Sequence, residues 1–475
     1  MARSAFAHNR LESRGLGGHI RDSKVIMFGW ILNITYLLAG LVTSPLWLYR
    51  MLRHGRYRTD WAQRLGAAPV RYGLQPVIWI HGVSVGEISV ARTLLDQLHA
   101  QLPDYQVVFS STTDTGMATA RRLFAPDHKV FRFPLDFTFT VNRALRRLRP
   151  DLLILMEGDV WPNLVSACRK RGIPAIVVNG RIGPAKGYPR YRRVRPVAAW
   201  LFNSLTAIGL QHESYAELYA KLGVRKGKLV VTGMLKFDTA ELADRVAGQD
   251  ALAAAMGISQ GRKLIVAGGT GAGEEALVLD AFGEATAGLD TPARLAIVPR
   301  KPERFDEVAR LIQSRGLGCV RRSQCPDGQA GPAADGPAPA SILLGDTMGE
   351  LRKFYALSDG CFVGRSLVPQ GGSDMIEAAA LGKCVAFGPH TFNFPQAQFM
   401  VDAGCARRVR SPKELAGVIR QWLSDPAAAA QLGRAAQEYV AGQRGATQRN
   451  MELICRVLGR VSPPGPGTIA TDAVS

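Results

Sequence analysis

Two patterns alternate along most of the chain. Short, nearly unbroken apolar runs occur at residues 77–81, 107–111, 130–134, 152–156, 175–179, 207–210 and 229–232. Between them lie longer stretches whose apolar residues return at helical spacing, as Ile88, Ala91, Leu94, Leu95 and Leu98 do. The runs predict buried strands, and the stretches predict helices packed by one face. Repeated strand–helix units of this kind build a parallel sheet with helices on both sides. A second series begins at Lys263, with runs at 264–267, 295–298, 319–321, 342–344, 361–364 and 385–388. Residues 238–260, between the two series, are alanine-rich and polar and predict a helical linker. The fold class is therefore predicted as α/β, with Rossmann-like domains at residues 60–237 and 261–458. Helical patterns over residues 412–458 either close the second domain or cross back to the first. Ligands in such sheets bind beyond the carboxyl ends of the strands.

The ends of the chain depart from this alternation. Residues 1–24 are polar and basic, and residues 25–49 carry no charge. That stretch is long enough to span a bilayer, for which roughly 20 residues suffice. Trp30, Tyr36, Trp47 and Tyr49 supply interfacial aromatics, and Arg50, Arg53, Arg56 and Arg58 follow. A signal peptide would have a shorter apolar core and a small-residue cleavage site. The competing reading, an amphipathic or buried core helix, is less favoured because no polar face interrupts the run. Asn33, Thr35 and Pro45 weaken the span without abolishing it, and basic residues on both sides set its orientation poorly. Residues 323–340 are rich in Pro, Gly and Ala and predict a mobile surface insertion. Residues 459–475, with Pro463-Pro464-Gly465-Pro466, predict a disordered tail.

Charge adds a partner class. The chain has 475 residues, with 59 Lys and Arg against 39 Asp and Glu, a formal net charge of +20. Such an excess favours nucleic acid, acidic lipid or a phosphorylated substrate. A nucleic-acid partner would not account for the apolar N-terminal segment and is not expected. The seven cysteines form no Cys-x-x-Cys pair and read as small buried residues in a reducing compartment. No His, Cys and carboxylate cluster has metal-ligand spacing, so neither a catalytic metal nor another cofactor is expected.

Several stretches carry candidate chemistry. Gly364-Arg365-Ser366-Leu367 leads into a turn, Gly371-Gly372-Ser373-Asp374, then Met375-Ile376-Glu377 opens a helix predicted over residues 374–381. Strand, glycine turn and helix start let backbone N–H groups approach an anion. Glu377 either accepts hydrogen bonds from a sugar or only complements the helix dipole, and the residues alone leave both readings open. In Trp79-Ile80-His81-Gly82-Val83-Ser84-Val85-Gly86-Glu87, Ser84 and Glu87 have capping-box spacing, yet a glutamate there can also take a proton from a hydroxyl. Met156-Glu157-Gly158-Asp159-Val160-Trp161-Pro162-Asn163 places carboxylates where a strand ends, with Pro162 fit to start a helix. Val178-Asn179-Gly180-Arg181 ends another strand, so Arg181 is either a surface arginine or a substrate contact. Lys236 in Met234-Leu235-Lys236-Phe237-Asp238 reads, on residues alone, as a solvated linker lysine. Gly268-Gly269-Thr270-Gly271-Ala272-Gly273-Glu274-Glu275 is a weak phosphate-loop signal. Val298-Pro299-Arg300-Lys301-Pro302-Glu303-Arg304 and Gly345-Asp346-Thr347-Met348-Gly349-Glu350-Leu351 also follow predicted strands.

Taken together, residues 79–394 resemble the Kdo transferases, which move 3-deoxy-manno-octulosonic acid from its CMP-activated form to a lipid A precursor. Gly388-Pro389-His390-Thr391-Phe392-Asn393-Phe394 matches that family's run intact. The resemblance implies a GT-B fold, two Rossmann-like domains facing a cleft, with an N-terminal membrane-anchor helix at residues 25–49. It implies a membrane-associated inverting enzyme of lipopolysaccharide biosynthesis, on the cytoplasmic face of the inner membrane. Its donor would be CMP-Kdo and its acceptor the anionic lipid A precursor lipid IVA. It makes Glu87 the catalytic base, with Asp159 and Lys236 as further catalytic residues. Ser84, Gly86 and Arg181 would contact the acceptor. Pro299, Arg300, Met348, Gly349, Glu350, Gly371, Gly372, Asp374, Met375, Ile376 and Glu377 would bind the CMP donor. The chain departs from the family pattern at Gly271, where a histidine is expected, at Ser373-Asp374, in place of His-Asn, and at Asp159, in place of a glutamate. These departures keep three alternatives open: a GT-B enzyme for another nucleotide sugar, a nucleotide-sugar epimerase, and an inactive lipid-binding paralogue.

Overall fold

A computed structural model describes residues 17–54, 58–184, 187–259, 261–289, 293–328 and 341–460. The predicted tail beyond 460 and most of the predicted 323–340 insertion lie outside the described residues, as do residues 1–16. The chain divides into two compact units, Met1–Asp238 with Gly445–Ser475, and Thr239–Arg444.

The first unit is built on a parallel sheet of seven strands. These are β1 (Val77–His81), β2 (Gln106–Ser111), β3 (Lys129–Arg132), β4 (Leu152–Met156), β5 (Ala175–Gly180), β6 (Ala207–Leu210) and β7 (Leu229–Val231). Each predicted apolar run forms one of them. Strands β1, β4 and β5 are buried along their whole length, which is why their sequences read as unbroken apolar runs rather than as alternation. The order is β3-β2-β1-β4-β5-β6-β7, so the winding reverses between β1 and β4. Ile78 pairs with Val107 on one side and with Leu152 on the other. The helix Val85–Gln101 buries Ile88, Ala91, Leu94, Leu95 and Leu98, the predicted face.

The second unit repeats the plan with β8 (Lys263–Thr270), β9 (Ala293–Pro299), β10 (Cys319–Arg321), β11 (Ile342–Leu344), β12 (Gly360–Val363), β13 (Cys384–Phe387) and β14 (Arg407–Arg408). Their order is β10-β11-β9-β8-β12-β13-β14, with the reversal between β8 and β12. Strand β14 carries no apolar run, being two arginines at the sheet edge, and the hydrophobic pattern does not predict it.

Three expectations change. The C-terminal helix Ala446–Val457 belongs to the first unit, because Met451, Leu453, Ile454 and Cys455 are buried in the core formed by β1, β4 and the Val85–Gln101 helix. Its N-terminus is held by Asp238, whose carboxylate accepts from Gly445 N (2.6 Å) and Thr447 N. Residues 239–260, the expected linker, are part of the second unit. The helix expected over 374–381 shrinks to Ile376–Ala379. Asp374 stands outside as a cap that accepts from Ile376 N (3.1 Å), and the far end tightens into i→i+3 bonds, Leu381 N to Ala378 O (3.2 Å) and Gly382 N to Ala379 O (3.0 Å), before Gly382 turns the chain at φ 66°.

The N-terminal helix runs Gly17–His54, beyond the charge-free stretch, and its Gly29–Arg53 part is long and apolar enough to cross a bilayer. Leu37, Leu41 and Val42 are exposed on it, while Gly29, Asn33 and Tyr36 form a docking edge. Asn33 donates to Thr138 Oγ1 (2.7 Å) and accepts from Thr138 N (3.1 Å) and Asn163 Nδ2 (3.3 Å). Tyr36 donates to Asp136 (3.3 Å), a buried carboxylate that also caps the Pro162–Arg171 helix through Asn163 N (3.0 Å) and Leu164 N (2.9 Å). A Cβ on Gly29 would stand 3.3 Å from Thr138 Cγ2. Asn33, which weakens the apolar span, therefore helps attach the helix to the domain, together with Tyr36.

Two outcomes check these placements. Ile454→Ala lowers the stability of the first unit by about 2–5 kcal/mol, as buried Ile-to-Ala truncations do, read as a shift in urea midpoint. An unchanged midpoint contradicts the placement of the last helix. Asn33→Leu lengthens the apolar run but removes the docking bonds, and trypsin then cuts faster between the helix and β1 in detergent. Equal cleavage rates contradict the docking.

Candidate active site

In the first unit the predicted residues gather where the strand order reverses. Strand β1 ends in Gly82-Val83-Ser84, and Ser84, in extended conformation, caps the Val85–Gln101 helix. The capping box is complete. Ser84 Oγ accepts from Glu87 N (3.3 Å), and Glu87 Oε1 accepts from Ser84 N (3.2 Å) and Ser84 Oγ (2.7 Å). Glu87 Oε2 accepts from Val83 N (2.9 Å). The same side chain is buried, at 7% exposure, while Ser84 and Gly86 beside it are exposed.

Burial pushes the Glu87 carboxyl up to about 7, against the pull of its Val83 and Ser84 hydrogen bonds and with help from the charges of Glu157 and Asp159. Glu87 thus has both characters that its sequence position suggests, a capping residue and a proton acceptor poised near neutrality.

The opposing wall comes from β4 and β5. Glu157 follows β4 with φ 59°, and Gly158 with φ 127°. A non-glycine residue at positive φ is strained, and such strain gathers at functional sites. Here it is held by the sheet, since Glu157 N donates to Val178 O (2.9 Å) and Arg181 N donates to Glu157 O (3.0 Å). The side chains close the same loop, with Arg181 Nε 2.8 Å from Glu157 Oε2. Burial raises the Asp159 carboxyl, and the Arg181 charge opposes it. Glu87, Ser84, Asp159 and Arg181 therefore lie near one another, and Glu157 joins them. Nothing in the sequence pattern marks Glu157 over Asp159 except its place directly after the strand. His81 at the end of β1 is buried, bonded to Ser110, and held neutral by burial with its pKa lowered to about 3.

Asn179, one residue before the end of β5, has φ 58°, and its Oδ1 accepts from Leu235 N (3.1 Å), fixing the start of the short helix Leu235–Asp238. That helix carries Lys236 and packs against the helix of Glu87. Lys236 is thus part of a folded element at the carboxyl end of the sheet rather than of a linker.

In the second unit the glycine-rich loops follow β8 and β12. Glu274, wholly buried, is the tie between them. Its carboxylate accepts from Gly271 N (3.3 Å), Arg365 N, Ser366 N (2.8 Å) and Leu367 N (2.9 Å). Behind it, Glu275 pairs with Arg304 (Oε2 to Nη2, 3.1 Å). Arg300 is exposed at the end of β9 and its N donates to Thr270 O (3.0 Å), while Pro299 is buried.

Gly371 and Gly372 have φ 91° and 86°, and a Cβ on Gly371 would stand 2.0 Å from Asn393 Nδ2. The Gly388–Phe394 run packs beneath this turn, with Gly388 N donating to Ser366 Oγ (2.8 Å) and Asn393 N to Gly371 O (3.2 Å). Ser373, buried, donates to Gly269 O (2.8 Å), and Asp374 accepts from Ile376 N (3.1 Å).

The predicted donor residues divide by exposure. Arg300 and Glu377 are exposed, and Met348 at 62% exposure projects from a turn shaped by Gly349 at φ 85°. Met375 and Ile376 have buried side chains, so only their backbone is available to a ligand. Glu350 is committed to Arg322 (2.9 and 3.2 Å) and Lys353 (3.1 Å). Burial would raise its carboxyl, but bonds from Arg322, Thr347 and Lys353 win and hold it at about 2. A Cβ at Gly271 would stand 2.1 Å from Gln370 Oε1 and 2.9 Å from Arg365 Cγ, so a histidine there requires both side chains to move. Among the described residues no group of three or more His, Cys, Asp or Glu is placed to hold a metal ion.

Residues 59–239 fit the family described as 3-deoxy-D-manno-octulosonic-acid transferase (kdotransferase). The 3-deoxy-D-manno-octulosonic acid transferase of Haemophilus influenzae is 31% identical over 444 residues, covering 91% of this chain and 99% of that protein. The corresponding transferase of Bordetella pertussis is 33% identical, covering 89% of this chain and 99% of that one. The crystal structure of Acinetobacter baumannii MurG, 17% identical, aligns with a TM-score of 0.51 over 81% of this chain and 100% of that chain, which bears on the fold alone. The fold is GT-B, and with identities sustained over nearly the whole of both relatives the chain belongs to the 3-deoxy-D-manno-octulosonic acid (Kdo) transferase family of glycosyltransferases.

Proposed function

We propose that this protein transfers Kdo from CMP-Kdo to the phosphorylated disaccharide lipid IVA, with inversion, at the cytoplasmic face of the inner membrane. The observation that carries the reading is Glu87, a buried carboxylate with its pKa raised to about 7 beside the exposed Ser84–Gly86 turn. A base of that pKa accepts a proton near neutral pH without being fully protonated in the resting state. In the reaction the acceptor hydroxyl gives its proton to Glu87 as its oxygen bonds to the anomeric carbon of Kdo. The bond from that carbon to the phosphate oxygen breaks, and CMP leaves with the electron pair. A single displacement inverts the anomeric configuration.

Arg181, with Ser84 and Gly86, contacts the acceptor, and Asp159 sustains the negative field that keeps the Glu87 proton affinity high. Lys236 supplies a positive charge for the donor's phosphate or carboxylate. Arg300, the Met348–Gly349 backbone, the Gly371–Gly372 turn, Asp374, the Met375 and Ile376 backbone and Glu377 bind the donor. The exposed apolar face of the N-terminal helix is read as a membrane anchor, and Arg50, Arg53 and Arg58 after it favour anionic lipid.

Two outcomes test the base. Glu87→Gln keeps the oxygen that serves the capping box but sets an amide NH2 against Val83 N, so the fold is retained with a stability loss of about 1–3 kcal/mol. Its transfer rate falls by roughly 10²–10⁴-fold, the usual worth of general-base catalysis. A variant with wild-type turnover removes Glu87 from the chemistry. In the wild type the ionised form is the active one, so kcat/KM drops about tenfold per pH unit below about 7 and levels off above it. A rate independent of pH across that range contradicts the assignment.

A further inference from the structure

The loops that follow β8 and β12 flank the point where the second sheet reverses, which is where open α/β sheets bind ligands. One residue there breaks a backbone rule. Arg365, directly after the β12 loop begins, has φ 58°, a region that glycine occupies at far lower cost. Its N donates to the buried Glu274 carboxylate, and its O accepts from Gly372 N (2.8 Å), so the backbone is clamped from both sides. The side chain is laid across the β8 loop, with its Cγ 2.9 Å from where a Cβ on Gly271 would be. Gln370 lies over the same glycine and donates to Ala272 O (3.0 Å). Among the described residues the guanidinium makes one hydrogen bond, Nη2 to Gln370 O (2.9 Å). A guanidinium has five N–H donors. Arg300 flanks the β8 loop from the other side, its N bonded to Thr270 O (3.0 Å). Glycine at 271 thus leaves room for the arginine to lie over the loop as it does.

We propose that Arg365 binds the phosphate of the nucleotide donor, its strained backbone and the bare Gly271 being what place the guanidinium over the glycine turn. The inference rests on the donor reading above, and it adds a residue that the motif resemblance does not mark. Together with Arg300 it gives the leaving phosphate a cation from each loop neighbouring β8. A guanidinium suits this task because its fork of donors matches two phosphate oxygens at once.

The test uses the full-length protein in detergent and titrates CMP, UMP and cytidine by calorimetry. Arg365→Gly removes the cation and relieves the positive φ, so folding is kept or improved. CMP then binds about tenfold or more weakly, the scale of a lost charge-assisted bond, and its affinity becomes less sensitive to salt. Cytidine, which lacks the phosphate, binds wild type and variant alike. Arg365→Lys restores part of the CMP affinity. Equal CMP affinity in wild type and Arg365→Gly overturns the proposal and leaves the donor reading standing. Equal weakening of CMP and cytidine overturns it too, showing that Arg365 only shapes the loop. Wild type that prefers UMP, with the same loss in the variant, supports the phosphate contact while rejecting CMP as the donor nucleotide. Wild type that binds neither nucleotide overturns the donor reading and this one with it.

Discussion

In each sheet the winding leaves the first strand in one direction and later resumes on its other side. Right-handed crossovers force the helices after the two central strands to opposite faces, so the loops between them part. The centre of each candidate site stands in such a gap, and neighbouring loops at the same sheet edge, those after β5, β7, β9 and β11, supply the rest. Glu87 follows β1, and Glu157 and Asp159 follow β4. Gly271 follows β8, and Arg365 follows β12. The topology decides where a site can be, and local interactions decide what it can do.

Those interactions use the same device twice. A buried carboxylate collects backbone N–H groups and makes a loop rigid, as Glu87 does with Val83 and Ser84, and Glu274 with Gly271, Ser366 and Leu367. The outcomes differ because the surroundings differ. Glu87 has few donors, a low-dielectric setting and two more carboxylates nearby, so its proton affinity rises into the working range. Glu274 is enclosed by amides from both loops and remains a tie, although burial also raises its carboxyl. A capping box and a catalytic base are therefore compatible in one residue. The cap fixes the rotamer, and the desolvation that comes with it tunes the acid.

Much of this was legible in the sequence for a physical reason. Strands buried on both faces carry polar residues almost only at their ends, as His81, Asn179 and Thr270 are, so β1, β4, β5, β8 and β9 announce themselves as apolar runs. Strand β14 does not, because two edge residues need no buried face. The last helix shows its apolar face in the sequence, but a periodic face does not say which sheet it covers, and Ala446–Val457 crosses back to the first unit. Motif resemblance brought Glu87, Asp159 and Arg181 to one place, yet it did not distinguish ligand contacts from packing at Met375, Ile376 and Glu350. That distinction is a matter of burial and ion pairing. Arg365, Glu157 and Asn179 stand inside quoted motifs without a role of their own, because what sets them apart is a positive φ, which no residue pattern displays.

The most direct measurement follows both products of one reaction. Purified protein in detergent is supplied with CMP-Kdo and lipid IVA, and CMP release, Kdo–lipid formation and the anomeric configuration of the new linkage are recorded together. The account predicts one CMP released for each glycosidic bond formed, with the configuration inverted. Transfer with retained configuration, or transfer only from another nucleotide sugar, would contradict it.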